Sequence, residues 1–359
     1  MQLLLLFGCY VQVAKKEIEQ IPEVDLTIGT NEKINIVKYI EEFWSGTRTV
    51  PLGTPKLEYE DFGNVTYTEK TRAVIKIQDG CDMFCTYCII PYARGRVRSR
   101  KPESVLSEIK DIVKKGIKEV VLTGIHIASY GKDFENTFKL IDLLEKINDI
   151  DGLERIRLGS IEPNLITEEF LNRLQNLNKI CNHFHLSLQS GCDETLKRMN
   201  RRYTIEEFEK IANRIRKTYI DAMLTTDIIV GFPGETEEEF LETYKFLKHI
   251  NFYKMHVFKY SERKGTKSAL MENQISPELK EERSKKLILL SDNNEKNYLK
   301  QYIGKEIEVL FEEFDGDYYK GHTSNYILVN CKSNTDICNN IKKILIEDTK
   351  NLELMGQTV

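Results

Sequence analysis

The sequence predicts an α/β chain: a partial barrel of six β/α units, with an α/β fragment before it and a small β-barrel after it. Three observations carry this. Between residues 73 and 260, short apolar runs alternate with amphipathic stretches at helical spacing, the pattern of a parallel sheet. After Gly304 the polarity alternates with period two, and Asp315-Gly316 and Lys320-Gly321 supply turns, the pattern of an antiparallel sheet. Three cysteines follow the first strand of the alternating region directly, at the strand end where such barrels place their chemistry.

The elements follow in order. Residues 3–7 read as a strand, 14–20 as a helix, 26–28 as a second strand and 33–42 as a second helix. They form a unit over 1–66 that is small for independent folding. A Pro-, Gly- and Thr-rich loop spans 47–55. Strands are expected at 73–78, 119–123, 155–158, 184–189, 225–230 and 255–260, and helices at 102–115, 138–147, 167–176, 204–219 and 236–249. Thr204 with Glu207, and Thr236 with Glu239, have the spacing of capping boxes. Residues 277–302 read as one polar helix strapping the barrel unit, 67–298, to the last unit, 299–359. That unit has strands near 306–311, 325–329 and 342–346 and the size of an oligonucleotide-binding barrel.

Composition narrows the class. The 359 residues carry a net charge of −4, so any nucleic-acid partner must be met by a local patch. The opening MQLLLLFGCYVQ lacks a basic leader and is too short for a signal peptide. No later stretch approaches a membrane span, so a cytoplasmic protein with no membrane partner is expected, read as a monomer. Eight clustered rather than evenly paired cysteines suit a reducing compartment.

Cys81, Cys85 and Cys88 lie within QDGCDMFCTYCIIPYARGRVRSR. Three thiolates at this spacing can each hold one iron of a [4Fe–4S] cube, leaving the fourth iron open for a ligand. Zinc is the weaker reading. A structural zinc wants four ligands, and no histidine lies between Asp79 and Lys101. Cys181, Cys192, Cys331 and Cys338 show no ligand spacing and read as small buried residues.

In order along the chain, CTYCIIPYARGRVRSR, LTGIHIASYG, GSIEP, HLSLQSGCDETLKRMNRRYT, TTDIIVGFPGETEEEF and HVFKYSERKGT closely resemble the radical S-adenosylmethionine (SAM) methylthiotransferases. The branch most similar acts on N6-threonylcarbamoyladenosine in tRNA. The resemblance implies that Cys81, Cys85 and Cys88 hold a catalytic cluster that binds SAM, and that the last unit is a TRAM domain. It implies methylthiolation of C2 of an adenosine in the tRNA anticodon loop, a flavodoxin- or ferredoxin-type reductant and a sulfur source. Tyr87 is expected to pack on the adenine of SAM. Pro91, Gly124, Glu162, Gln189, Ser190, Asp227 and Gly231 are assigned to the cofactor from the strand-end rim. Glu162 reads either as an acceptor for ribose hydroxyls or as a plain helix-capping acid before Pro163. Of the histidines near strand ends, His126 is best placed to face the pocket.

The basic run Arg94, Arg96, Arg98, Arg100 and Lys101 is expected to meet tRNA phosphates, as is Arg201 in the group from 197 to 202. In the last unit, Phe311, Tyr318, Tyr319 and Tyr326 are expected to offer stacking surfaces for RNA. The family's first domain supplies three cysteines to a second, auxiliary cluster. Only Cys9, in Gly8-Cys9-Tyr10, matches, so the resemblance implies a truncated amino-terminal domain and a chain that cleaves SAM but forms little or no methylthio-adenosine. A radical SAM enzyme of another class using one cluster, or a non-catalytic RNA-binding relic, are the competing readings.

Overall fold

The computed structural model describes residues 3–30, 32–46, 58–63 and 71–359. The expected loop at 47–55 and the expected domain boundary at 66/67 lie outside the described residues.

The first unit comprises β1 (Leu5–Phe7), α1 (Cys9–Val13), α2 (Lys15–Ile18), β2 (Leu26–Ile28) and α3 (Ile36–Trp44), with β1 and β2 parallel. The helix expected over 14–20 is α2, shortened to 15–18, and a further short helix that was not expected, α1, precedes it; the two are separated at Ala14, whose φ of −113° and ψ of 29° are not helical. The helix expected from residue 33 opens with a 3₁₀ turn and becomes α-helical at Ile36.

The middle unit runs β3 (Arg72–Asp79), α4 (Ile90–Arg94), β4 (Arg98–Ser99), α5 (Pro102–Lys114), β5 (Glu119–Gly124), α6 (Leu140–Asn148), β6 (Arg155–Leu158), α7 (Glu168–Leu174), β7 (His183–Gln189), α8 (Asp193–Arg198), α9 (Ile205–Thr218), β8 (Met223–Val230), α10 (Glu237–Ile250), β9 (Lys254–Lys259) and α11 (Pro277–Lys300). Six strands are parallel. One sheet has the order β4-β3-β5-β6, with β4 antiparallel on β3, and the other has the order β7-β8-β9. Parallel bridges Ile156–Ile180 and Ile161–Leu186 connect the sheets. Alternate strand residues such as Ile75, Ile77, Val120, Leu122, Phe184, Leu186 and Ile228 pack with Ile109, Leu143, Phe208 and Leu247 of the helices in one core. Fully burying each such side chain stabilises by roughly 1.5–3 kcal/mol. Both expected capping boxes form at the starts of α9 and α10.

The last unit is a closed barrel, β10 (Glu306–Phe314), β11 (Tyr319–Thr323), β12 (Leu328–Lys332), β13 (Ile341–Lys350) and β14 (Glu353–Thr358), in the order β10-β11-β12-β14-β13. The strand expected at 325–329 starts three residues later. Tyr326 takes a left-handed φ of 73°, and the Thr323 hydroxyl donates to Asn325 and accepts from the Ile327 N–H, which makes this stretch a turn. Phe311 is buried inside the barrel and offers no stacking face.

The barrel is seated on the lower ends of β3, β5 and β6 by a charged cluster. Glu119, fully buried, bonds Arg157 at 2.7 Å and Arg72 at 2.9 Å, with Arg155 at 3.9 Å. Arg155 and Arg157 in turn donate to the carbonyls of His322 and Ser324. Tyr326 stacks between His183 at 5.2 Å and His322 at 4.7 Å, beneath the Arg72 and Arg157 guanidinia. The junction holds Tyr326 from several sides but leaves it 40% exposed, so part of the ring stays open to solvent.

Candidate active site

The cysteine loop leaves the end of β3 through Gln78 and Gly80. Gly80 has φ of 71°, and a Cβ there would meet the Arg96 carbonyl oxygen at 1.8 Å, so only glycine fits. Gln78, wholly buried, donates to the carbonyls of Asp79 and Gly80 and accepts from the His126 N–H at 2.8 Å. Three distant segments then strap the loop. Cys81 N donates to Gly95 O, Thr86 N and Oγ1 donate to Met199 O and Arg198 O, and Ser268 N donates to Thr86 O. Asn200 Nδ2 adds bonds to the carbonyls of Met83 and Phe84. Phe84 itself is left-handed, with φ of 50°, which turns the chain between the first and second cysteines.

The result is a compact thiol cluster. Cys81, Met83 and Cys85 are buried together, with Tyr87, Cys88, Ile90 and Ile125 packed against them. Burial pushes the Cys81 thiol up to about 11 and raises Cys88 as well. Two sulfurs already receive donors: Met83 N at 3.5 Å from Cys81 Sγ, and Arg201 Nη1 at 3.4 Å from Cys85 Sγ. Among the described residues, no three His, Cys, Asp or Glu side chains are grouped to hold one metal ion. A cube needs no such convergence, since each sulfur binds a different iron. Three thiols on one pre-shaped apolar loop, with N–H and guanidinium donors aimed at sulfur, fit a [4Fe–4S] cluster.

Facing the loop, Glu162 accepts from Arg201 at 2.6 Å, and His126 Nε2 lies 3.8 Å from the same carboxylate oxygen. Burial alone would raise the Glu162 carboxyl, but His126 and Arg201 more than offset it and hold it below the ordinary range. Glu162 Oε1 and His126 Nε2 are buried without a hydrogen-bond partner, which marks a place for a polar ligand.

The other expected cofactor residues divide. Gly124, at the end of β5, lies so close to Gln78 that a Cβ would meet its carbonyl at 2.9 Å. Gln189 is left-handed at the end of β7. Asp227 accepts from His185 Nε2 at 3.1 Å, and Gly231 donates its N–H to the buried Glu235, which also pairs with Arg283. Tyr87 packs edge-on to Phe232 at 6.3 Å. Ser190 is turned inward: its hydroxyl contacts Thr243 and accepts from Cys192 N. Pro91 is buried in the first turn of α4, where it shapes the helix rather than lining a pocket.

The basic run also divides. Arg98 and Arg100 are buried; Arg98 reaches Asp79 and the Arg94 carbonyl, and Arg100 pairs with Asp61 and Glu108. Arg94 pairs with Asp79 at 3.1 Å. These guanidinia already hold carboxylates, so they brace the loop's exit. Arg96 stays largely exposed, with a 3.3 Å contact to Asp82. Arg201 belongs to the cluster site and not to an outer surface. Sequence reasoning missed Gln78 and the Arg201–Glu162 pair. The signal for Gln78 was a polar side chain near the end of the strand that leads into the cysteines. Cys181, Cys192 and Cys331 are buried, as their lack of spacing suggested, and Cys338 is half-buried. Cys9 lies beside the Arg94 guanidinium and lines a cleft of about 900 Å³ with Tyr10, Val13, Ile89 and Arg263.

Comparison with known proteins agrees with this geometry. Residues 75–247 match the radical SAM superfamily. The chain is 41% identical, over 94% of its length and 77% of the other's, to the threonylcarbamoyladenosine tRNA methylthiotransferase MtaB of Bacillus subtilis (strain 168). It is 36% identical to the tRNA-2-methylthio-N(6)-dimethylallyladenosine synthase of Clostridium tetani (strain Massachusetts / E88), over 98% of this chain and 79% of that one. Among solved structures, the cobalamin-dependent SAM radical enzyme OxsB shares the fold at a TM-score of 0.50 and 14% identity, over 82% of this chain and 43% of that one.

Proposed function

The chain belongs to the radical SAM tRNA methylthiotransferases, and from that premise we propose that it methylthiolates C2 of N6-threonylcarbamoyladenosine beside the tRNA anticodon. The observation that carries this is the 41% identity to the Bacillus subtilis enzyme across nearly the whole chain, cysteine loop included. Cys81, Cys85 and Cys88 would hold the cluster. When bound, the cluster and SAM supply the radical chemistry and the methyl group. The protein supplies position. The strapped loop holds the three sulfurs in place, and Arg201 sets a positive charge beside Cys85 while orienting Glu162. Glu162, Gly124, Gln189, Asp227 and Gly231 form the SAM rim, with Tyr87 closing the side near Phe232. The two sheets are read as one six-stranded partial barrel whose seam is the Ile161–Leu186 bridge.

Arg96 and Lys101 are the exposed residues of the basic run and meet tRNA phosphate, and the terminal barrel is a TRAM domain. A flavodoxin- or ferredoxin-type reductant, a sulfur source and a cytoplasmic setting complete this reading. The auxiliary cluster is a different matter. Cys9 is the only cysteine among the described residues lining its cleft, a donor set that does not fit a cube, so no step is derived through it.

The test is mass spectrometry of nucleosides from tRNA incubated with the anaerobically reconstituted chain, SAM, reductant and sulfide. The expected product is the 2-methylthio derivative of the threonylcarbamoyl nucleoside. Product only on dimethylallyladenosine would move the chain to the other branch. Replacing Cys81, Cys85 or Cys88 by Ala should abolish reductive SAM cleavage, and unchanged cleavage would sink the cluster assignment.

A further inference from the structure

A second feature opens beside the cysteine loop: a cleft of about 570 Å³. Its inner end, at Met83, His126 and Glu162, belongs to the site already described. Its outer part does not. There Tyr130, Phe134 and Phe138 make an aromatic wall, Tyr130 standing edge-on to Phe134 at 5.6 Å. The cleft is lined by four cations, Lys132, Lys139, Arg173 and Arg202, and two carboxylates, Glu162 and Glu169. Arg173 is neutralised by Asp142 and Glu145, each at 2.7 Å, and Glu162 by Arg201. Among the described residues no carboxylate lies within ion-pair distance of Lys132 or Arg202. The outer cleft thus has an excess of unpaired positive charge against an apolar wall, next to a reaction centre.

We propose that this outer cleft binds an oxyanion of the RNA substrate, with Arg202 and Lys132 as specificity-determining residues. The proposal rests on the methylthiotransferase reading and deepens it. A threonylcarbamoyl group ends in a carboxylate, which a guanidinium and an ammonium would meet with charge-assisted hydrogen bonds. A dimethylallyl group is a neutral hydrocarbon that leaves both cations unpaired. A site built for polar contacts rejects an analogue lacking them far more strongly than an apolar pocket rejects an extra methyl. A phosphate of the anticodon loop offers the same chemistry to the same cations, and the experiment separates the two sources.

Anticodon-loop hairpins are titrated against the cluster-reconstituted full chain by fluorescence anisotropy. One carries N6-threonylcarbamoyladenosine, one its carboxamide, and one unmodified adenosine. Wild type is expected to bind the carboxylate hairpin about tenfold more tightly than the other two, the size of one good charged contact. The double variant R202A/K132A should lose that preference and leave binding of the unmodified hairpin intact. If the source is a loop phosphate, the variant weakens all three hairpins alike, and the slope of log affinity against log salt falls by about 1.4, or about 0.7 for each lost contact. Binding by the variant indistinguishable from wild type overturns the proposal. Retained SAM cleavage, and restored preference in R202K/K132R, show that the variant is folded. Methylthiolation by wild type confined to dimethylallyladenosine would refute the function reading, while the binding titrations still judge the cleft.

Discussion

Replacing Glu119 by Gln tests how the terminal barrel is held. The carboxylate is fully buried and serves two guanidinia directly, Arg157 at 2.7 Å and Arg72 at 2.9 Å, with Arg155 at 3.9 Å. Gln keeps the shape but removes the fully buried negative charge shared by three cations, of which Arg72 keeps its pair with Glu312. Removing one partner of a buried ion pair costs about 3–5 kcal/mol, because the other charge is left uncompensated. Here two strong contacts are lost, while Arg155 and Arg157 keep their bonds to carbonyls of the barrel, so about 4 kcal/mol is expected. That is a large fraction of the roughly 5–15 kcal/mol that stabilises a typical domain. Urea titration at neutral pH should show the variant's first transition at lower denaturant, and limited proteolysis should cut near the junction before the core sheets open. The pH dependence has a definite sign. Burial opposes the charge on Glu119, but Arg157, Arg72 and Arg155 hold its carboxyl below the ordinary 4.5. Its contribution is therefore fully present above 4.5 and lost only as pH falls through the lowered folded value. Wild type should keep the junction down to that pH. A loss of less than about 1 kcal/mol in the variant would refute the reasoning, since surface ion pairs are worth that little.

Four further outcomes are expected. Gly80→Ala forces a Cβ to within 1.8 Å of the Arg96 carbonyl at a left-handed position, costing roughly 1–3 kcal/mol or more, and should lower iron content on reconstitution; full iron loading would show that the loop can yield. Arg96→Ala should reduce the salt slope of tRNA binding by about 0.7–0.9 with unchanged stability. Arg100→Ala should instead destabilise, because it takes a buried guanidinium away from Glu108 and Asp61; the reverse pattern would reassign both residues. Arg201→Gln removes the partner of buried Glu162 and the donor to Cys85, so SAM affinity in equilibrium dialysis should fall at least about tenfold and the cluster's midpoint potential should shift. Unaltered values for both would take Arg201 out of the site.

Much of the fold was legible because its signals are local. Parallel strands covered by helices read as short apolar runs, and 155–158 was placed to the residue. Thr204 and Thr236 announce the helices that follow them because a cap and its third residue are neighbours in sequence. The cysteine triad was legible for the same reason. What stayed hidden depends on partners far along the chain. No spacing rule connects Arg201 to Cys85 across more than a hundred residues, or Arg100 to Asp61 across 39. A run of arginines looks alike whether it faces solvent or carboxylates, and the carboxylates, Asp61, Asp79 and Glu108, lie outside the run. The turn that delays β12 depends on side-chain bonds from Thr323 that compete with the ladder, and alternation of polarity does not register them.

The straps on the cysteine loop set an order of assembly. They come from residues 95, 198–200 and 268, so the last of them exists only after both sheets have been synthesised and folded. A chain stopped before residue 268 therefore lacks the bond from Ser268 to Thr86 and holds the cysteine loop by fewer segments than the complete chain does. Lesions far from the cysteines, at 198–200 or near 268, are then expected to loosen the same loop.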